Sequence, residues 1–337
     1  MEETRTLAED GNAGATPVAP SAADAAHGWP LLEDVLYRAV SETVLRAAVD
    51  ELVPQIKDRL AAEFGFEPIV HEVRMVDATH TLTELTHEVF PRALFFVANN
   101  VPLYLYGPAG SGKNVLAAQI ARALGLDFHT MSCVTEEYKF AGFMDIHGQY
   151  RESEFYKAFT KGGVFFLDEL DASNPDVLVG LNAAISNGCF TFPTGMLTAH
   201  KDFRVIAAGN TLGTGADAIY TGRSQLDAAT LNRFAILPVP YDRRIDLAMA
   251  EGDEELAAFA REYRRAAAGC GIPTVCSYRN IAMIKAAEAR IPLDEALLFC
   301  LTKEMNADDL TIIAAQFPPD MQRNRYFRAL RAVRPLT

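Results

Sequence analysis

The sequence predicts an α/β fold: a parallel sheet flanked by helices, followed by an all-helical domain and preceded by a helical extension. Three observations predict it. Between about residues 100 and 240, short apolar runs alternate with stretches of helical spacing, the pattern of a parallel sheet with its helices outside. One run, Pro102-Leu103-Tyr104-Leu105-Tyr106, feeds a Gly-rich turn that opens onto a helix-forming stretch. Beyond Tyr241 no strand pattern remains, and the chain is Ala-rich and helical, with breaks at 269–273, Pro292 and Pro318.

Each element follows in order. Residues 1–29 are rich in Ala, Gly, Pro, Glu and Asp without periodicity, which predicts a disordered tail. Residues 30–90 form the N-terminal extension. There Leu32, Val35, Leu36, Val40, Val44 and Leu45 recur at helical spacing, Pro54 divides or kinks the helix, and 68–75 alternates enough for a short strand. The sheet domain spans 91–241. The stretch 81–99 reads as a helix leading into the strand at 102–106, with Pro91 as its kink or its start. After the Gly-rich turn come a helix over 115–124 and a strand over 126–131. Residues 138–150, rich in Gly and aromatics, read as a loop or hairpin. A short helix over 155–160 precedes Gly163-Val164-Phe165-Phe166-Leu167, an unbroken apolar run suited to a strand buried on both faces. A helix over 175–187 has Pro at its start, a hairpin over 189–200 turns at Pro193-Thr194-Gly195, and 203–208 is another buried strand. A helix over 226–234 and a strand over 235–239 close the domain, and 242–337 forms the helical lid.

Composition narrows the partners. Half the residues are hydrophobic, enough for a core of normal size, and the net charge is −13. An acidic protein is a poor general binder of nucleic-acid backbone, whose affinity comes from phosphate neutralisation, so nucleic acid is not expected. The cysteines Cys133, Cys189, Cys270, Cys276 and Cys300 are odd in number and form no CxxC pair, which fits reduced thiols in a cytoplasmic protein. No apolar stretch approaches the ~20 residues of a membrane span, and the acidic N-terminus lacks the apolar core of a signal peptide.

The chemistry centres on Gly107-Pro108-Ala109-Gly110-Ser111-Gly112-Lys113-Asn114, followed by Val115. Strand, Gly-rich loop and helix are the context in which a Walker A pattern marks a phosphate site, and therefore a P-loop fold that binds ATP. The glycines let successive N–H groups face one anion, the helix N-terminus adds its positive end, and Lys113 reaches the β- and γ-phosphates. The residue after the lysine is usually Ser or Thr, whose hydroxyl binds Mg²⁺. Here Asn114 offers an amide oxygen, also a hard ligand but one bond further out.

Other residues complete the set. The apolar run ending at Leu167 delivers Asp168 and Glu169 to a strand's carboxyl end: Asp168 suits holding Mg²⁺, and Glu169 suits polarising the attacking water. Asn210 closes the strand run Val205-Ile206-Ala207-Ala208-Gly209 and can orient that water or sense the γ-phosphate. Arg233, at the predicted end of a helix, is placed to reach a neighbouring subunit's ATP, with Arg223 as a second candidate. Arg279, at the start of a lid helix capped by Ser277, can touch the γ-phosphate. Asp145 and His147 are too few ligands for a metal site and read as loop polars.

These motifs, GPAGSGKN, FFLDELD, AAGNT, LNRF and SYRN in that order, resemble those of AAA+ ATPases over roughly residues 91–290. The resemblance is nearest the MoxR-like and dynein-related branch that includes CbbQ, NirQ, CobS and GvpN-like types, of which phage genomes carry stand-alone versions. The runs Ala141-Gly142-Phe143-Met144-Asp145, Gly162-Gly163, Leu181-Asn182-Ala183-Ala184-Ile185 and Phe192-Pro193 support that branch. The resemblance implies a homo-oligomeric ring, usually a hexamer, with ATP between subunits. It also implies a protein client to be remodelled, often one bearing a von Willebrand A domain, and a location in the cytoplasm, the host's if phage-encoded. It places pore elements near 138–150, where Tyr138, Phe140, Phe143 and Tyr150 can grip a polypeptide or pack onto their own domain. Two positions depart from the pattern: Asn114 replaces Thr or Ser, and Asn232 replaces the usual Asp before the finger arginine.

Three other readings stand beside the ring ATPase. Asn114 motivates a non-hydrolytic nucleotide-dependent switch or scaffold. Branch resemblance alone motivates a CobS-like chelatase ATPase subunit. A small-molecule P-loop kinase is opposed by Glu169, Asn210, Arg233 and the helical lid.

Overall fold

Strand β1 (His71–Arg74) pairs antiparallel with β2 (Thr79–Leu82). The computed structural model describes residues 71–74 and 79–336, so the predicted tail at 1–29 and the helices expected within 31–64 lie outside the described residues. All described residues fall in one compact unit, 60–337. Helix α1 (Phe90–Ala98) carries Pro91 in its first turn, where the missing N–H has no helical partner to lose. The expected helix over 81–99 is thereby corrected: Thr81 and Leu82 belong to β2, and Pro91 marks a true start.

Next come β3 (Leu103–Tyr106), α2 (Lys113–Ala123) and β4 (Phe128–Met131). The 138–150 stretch resolves into a short α3 (Glu137–Ala141) and a hairpin of β5 (Phe143–Met144) with β6 (Tyr150–Arg151). Then follow α4 (Glu154–Lys161), β7 (Gly163–Leu167), α5 (Pro175–Asn187), the hairpin β8 (Cys189–Phe192) and β9 (Gly195–Thr198), and β10 (Phe203–Gly209). Helix α6 (Ala228–Leu231) is shorter than the expected 226–234. Its continuation is cut because Phe234 turns inward beside Tyr104 and the Ala235 N–H bonds Pro102 O to begin β11 (Ala235–Pro238).

The central sheet is parallel, in the order β11–β3–β10–β7–β4. Its register places the site. Gly209 lies opposite Tyr106, and Ala207 opposite Leu167, so three strands deliver the Gly-rich loop, the two acids and Asn210 to one sheet edge. Ligands of open parallel sheets bind at such carboxyl ends. Side chains alternate between the two faces. Leu103, Leu105, Val164, Phe166, Ile206 and Ala208 pack under α1 and α2. Tyr104, Phe165, Leu167, Val205 and Ala207 pack against α4, α5 and the β8–β9 hairpin, where Phe155 is fully buried.

The helical region comprises α7 (Arg243–Met249), α8 (Glu254–Cys270), α9 (Tyr278–Glu288), α10 (Leu293–Leu297) with a π-helical continuation over Leu298–Thr302, α11 (Ala307–Ala315) and α12 (Arg325–Leu330). Asp242, Asp253, Ser277, Asn306 and Asn324 cap helix N-termini, satisfying backbone donors that have no helical acceptor. Phe259, Tyr263, Ile281, Ile284, Leu297, Ile313 and Phe327 form its separate core. The breaks fall at Gly271, Pro292 and Pro318 as expected. Among the described residues no helix is long and apolar enough to cross a membrane, and all five cysteines are free thiols.

Candidate active site

The loop after β3 folds as the sequence requires. Gly110 (φ 67°) and Gly112 (φ 89°) take left-handed backbone that a side chain would oppose. At Gly107 an added Cβ would sit 2.3 Å from Val239 O, so only glycine lets the loop pass the end of β11. The Ser111 hydroxyl is fully buried, with no hydrogen-bond partner among the described residues. A buried donor of this kind calls for an acceptor such as a phosphate oxygen.

Lys113 opens α2 and is 6% exposed. Its Nζ donates to Gly107 O (2.8 Å), Pro108 O (3.0 Å) and Asn210 Oδ1 (3.0 Å). Burial pushes its pKa from the usual 10.5 to about 8, against the pull of Asp168 and Asp171 and with the push of Arg223 and Arg279. An ammonium held by neutral acceptors in a buried loop is stabilised further by any anion that enters.

Asp168 follows β7, and its Oδ2 accepts from Asn114 Nδ2 at 2.6 Å while Oδ1 accepts the Glu169 N–H at 3.0 Å. Glu169 sits at φ 54°, an uncommon conformation for a residue with a side chain. Its Oε1 accepts from Arg223 Nη2 at 3.0 Å. The sequence reading missed Asp171. Its carboxylate is fully buried, and Oδ2 accepts from the Asn210 N–H (3.0 Å), the Thr211 N–H (2.9 Å) and the Thr211 hydroxyl (2.9 Å). Arg223 Nε lies 3.7 Å from the same oxygen. Asp171 thus ties the acids after β7 to the end of β10 and aims Asn210 at Lys113. The only sequence signal was a third acid in the FFLDELD run.

The two arginine candidates separate. The Arg223 side chain is 12% exposed and engaged with Glu169 and Asp171 of its own chain. Arg233 lies past α6, half-buried, with Nε donating to Ser186 Oγ (2.9 Å) and Nη1 to Ala229 O. Arg279 is exposed in the first turn of α9. It lines a cleft of about 340 Å³ together with Gly110, Ser111, Gly112, Lys113, Asn114 and Val115. The far wall, which the sequence reading also missed, is Leu85, His87, Ile245, Met249 and Tyr278, an apolar end suited to a flat ring. His87 is fixed there by Pro240 O at 2.7 Å and by the Val89 N–H on Nδ1 at 3.2 Å.

The helical region grips the loop. Tyr241 donates to Ala109 O at 2.7 Å, and the Arg264 guanidinium, paired with Asp246, stacks 3.7 Å from the Tyr241 ring centre. The Ala109 N–H donates to Tyr220 Oη at 2.9 Å.

The four aromatics of 138–150 divide. Phe140 is buried, stacked on Phe155 at 4.0 Å, and Tyr150 donates to Ala141 O at 2.6 Å, so both pack onto their own domain. Tyr138 and Phe143 remain exposed, in edge-to-face contact, with Ile146 94% exposed at the hairpin tip. Asp145 accepts from the His147 and Gln149 N–H groups and pairs with Arg151, a loop-closing role. No cluster of three His, Cys, Asp or Glu residues suited to a metal occurs among the described residues.

Comparison with known proteins adds to this geometry. Residues 102–234 match the family model of the AAA domain, dynein-related subfamily. An uncharacterized protein of Staphylococcus epidermidis is 28% identical over 180 residues, 50% of this chain and 65% of that protein. Protein YojN of Bacillus subtilis is 28% identical over 187 residues, 52% of this chain and 59% of its own length. The match therefore spans less than two-thirds of these curated relatives. NtrX from Brucella abortus, crystallised in complex with ATP, aligns at a TM-score of 0.39 and 18% identity over 86% of this chain and 63% of NtrX. Motif order, sheet order and the match over 102–234 agree on a P-loop α/β core that is similar to the AAA domain, with a helical region behind it.

Proposed function

We propose that this protein is a Mg²⁺-dependent ATPase that works as a homo-oligomeric, hexameric ring and remodels a protein client. The observation that carries the hydrolytic reading is the convergence of Lys113, Asn114, Asp168, Glu169 and Asn210 at one sheet edge, beside a buried and unpartnered Ser111 hydroxyl.

ATP enters with its base in the Leu85–His87–Tyr278 end of the cleft and its phosphates on the N–H groups of 110–115. Lys113 exchanges the carbonyls of Gly107 and Pro108 for phosphate oxygens. Asn114 and Asp168 fit Mg²⁺: both offer hard oxygens, and this ion keeps most of its waters and takes phosphate oxygens, so no all-protein cage is required. When bound, the ion neutralises charge on the β- and γ-phosphates. Glu169 takes a proton from the attacking water, whose oxygen bonds to the γ-phosphorus as the bond to ADP breaks, and Asn210 holds the water in line. Arg233 of a neighbouring subunit supplies charge to the transferring phosphoryl group. The exposed Tyr138, Phe143 and Ile146 supply an apolar surface for a client.

Phosphate release at rising protein concentration, with mass by light scattering, tests this reading. Specific activity that climbs as a larger particle forms supports it. ATP binding and assembly without turnover at any concentration favours the non-hydrolytic switch instead, the reading motivated by Asn114 standing where Ser or Thr is usual.

A further inference from the structure

One face of α2 runs from the phosphate-binding loop to the apolar end of the cleft. Gly112, Val115, Leu116 and Gln119 recur at helical spacing, and all four line the cleft. Gln119 differs from its neighbours. It is 2% exposed, in a helix whose other buried positions after Lys113 are Leu, Ile and Ala. A glutamine is seldom buried unless its amide is partnered. Half of this amide is partnered: Nε2 donates to Leu85 O at 2.9 Å. A carbonyl oxygen only accepts, so this contact fixes which way round the amide stands. It leaves Oε1 as an acceptor with no hydrogen bond among the described residues, on a side chain that lines the cleft. The other polar side chains at this end are occupied. His87 engages Pro240 O through Nε2 at 2.7 Å and the Val89 N–H through Nδ1 at 3.2 Å, and the Tyr278 hydroxyl accepts the Asp242 N–H at 2.5 Å.

We infer that Gln119 selects the base: its Oε1 accepts from the exocyclic amine of adenine and opposes guanine. The inference rests on the ATPase reading above and adds to it the residue that tells the two purines apart. Adenine presents an amine donor where guanine presents the O6 acceptor. The apolar walls of Leu85, Ile245 and Met249 hold either ring, so they carry no such information. A site built to hydrogen-bond a donor rejects an analogue that lacks it far more strongly than an apolar pocket rejects a small change of shape. The amide cannot turn over to suit guanine. Its Oε1 would then face Leu85 O, two acceptors with no proton between them. The placement agrees with this role. Gln119 lies about 9 Å beyond Lys113 along the α2 axis, at ~1.5 Å per residue, which sets it apart from the phosphate end of the cleft.

The test uses the full-length protein and displacement of a fluorescent ADP by ADP, by GDP or by purine riboside 5′-diphosphate, which is ADP without the amine. The wild-type protein is expected to bind the amine-free analogue about tenfold more weakly than ADP, the worth of one hydrogen bond to a buried partner, and GDP more weakly still. Gln119→Leu fills a similar volume without an acceptor and is expected to bind ADP and the analogue within about twofold of each other, as a missing contact on either side predicts. A glutamine that only props Leu85 would, when replaced, weaken all three ligands by one factor and leave their ratios unchanged, and that result overturns the inference. Equal binding of ADP and the analogue by the wild-type protein also overturns it, in a comparison that needs no variant to fold. A wild-type protein that binds none of the three overturns the ATPase reading itself, and the inference with it.

Discussion

The Asn114 amide nitrogen lies 2.6 Å from Asp168 Oδ2, joining the first turn after the phosphate-binding loop to the end of β7. A carboxylate only accepts hydrogen bonds, so the contact fixes the amide: Nδ2 toward Asp168, Oδ1 free as a ligand. Asn114→Ala is expected to raise the Mg²⁺ needed for half-maximal phosphate release by about tenfold, the worth of one hydrogen-bonded ligand contact, while ATP binding without metal persists. Asn114→Thr restores a ligating oxygen and is expected to stay within about threefold of wild type. A Mg²⁺ titration of the three proteins checks both.

Lys113 gives a pH signature. Burial holds its pKa at about 8, below the usual 10.5. Below about pH 8 both folded and unfolded chains carry the charge, and the folded one bears its desolvation penalty. Between the two values the unfolded chain binds the proton and the folded chain does not, so this group's contribution to stability rises with pH through that window. Phosphate favours the ammonium, so ATP binding at about pH 8.5 takes up protons. Calorimetry in buffers of different ionisation enthalpy measures that uptake, which Lys113→Met abolishes.

Glu169→Gln keeps the shape of the side chain and removes its basicity. Turnover is expected to fall at least ~10²-fold, the usual contribution of a general base, with ATP still bound. Full turnover in this variant would remove Glu169 from the mechanism.

Arg233→Ala is expected to cut phosphate release about 10³-fold without weakening ATP binding, as loss of an arginine finger does. Sedimentation velocity alongside the assay separates lost assembly from lost chemistry: a variant that assembles and hydrolyses normally excludes Arg233 as the finger.

Asp171→Ala strips the Asn210 and Thr211 N–H groups and the Thr211 hydroxyl of their acceptor. Chemical denaturation is expected to show a loss of roughly 3 kcal/mol, because buried donors are left unpaired. A loss below about 0.5 kcal/mol would mean that water or a neighbouring group replaces the carboxylate.

Much of this site is legible in the chain. The run ending at Leu167 could only be a buried strand, and the acids after it had to meet the Gly-rich loop once both were placed at strand ends. The hairpin at 189–200 was equally plain, because Pro193 and Thr194 interrupt two apolar runs. Asp171 was not legible. In sequence it is a third acid in a short turn, and its burial follows only from β10 lying beside β7. Tyr220 and His87 were missed for the same reason, since each reaches the site across more than eighty residues or through the turn at Pro240. Arg223 and Arg233 looked alike, both being arginines beyond the sensor strand, and only side-chain contacts part them. Thr81 and Leu82 misled because helical spacing there competes with the pairing they find in β1.

Gly110 has a wider consequence. A methyl group there would stand 2.6 Å from Ser277 Cβ, the cap of α9, and the Tyr278 N–H points to Gly110 O at 3.4 Å. The backbone that cradles a phosphate and the first turn of the helical region are thus close neighbours, with only the short Ser277 side chain between them. Any pivot of α9 displaces the cradle, and any tightening of the cradle turns α9. The two behave as a lever and its fulcrum, with a hydrogen atom for clearance.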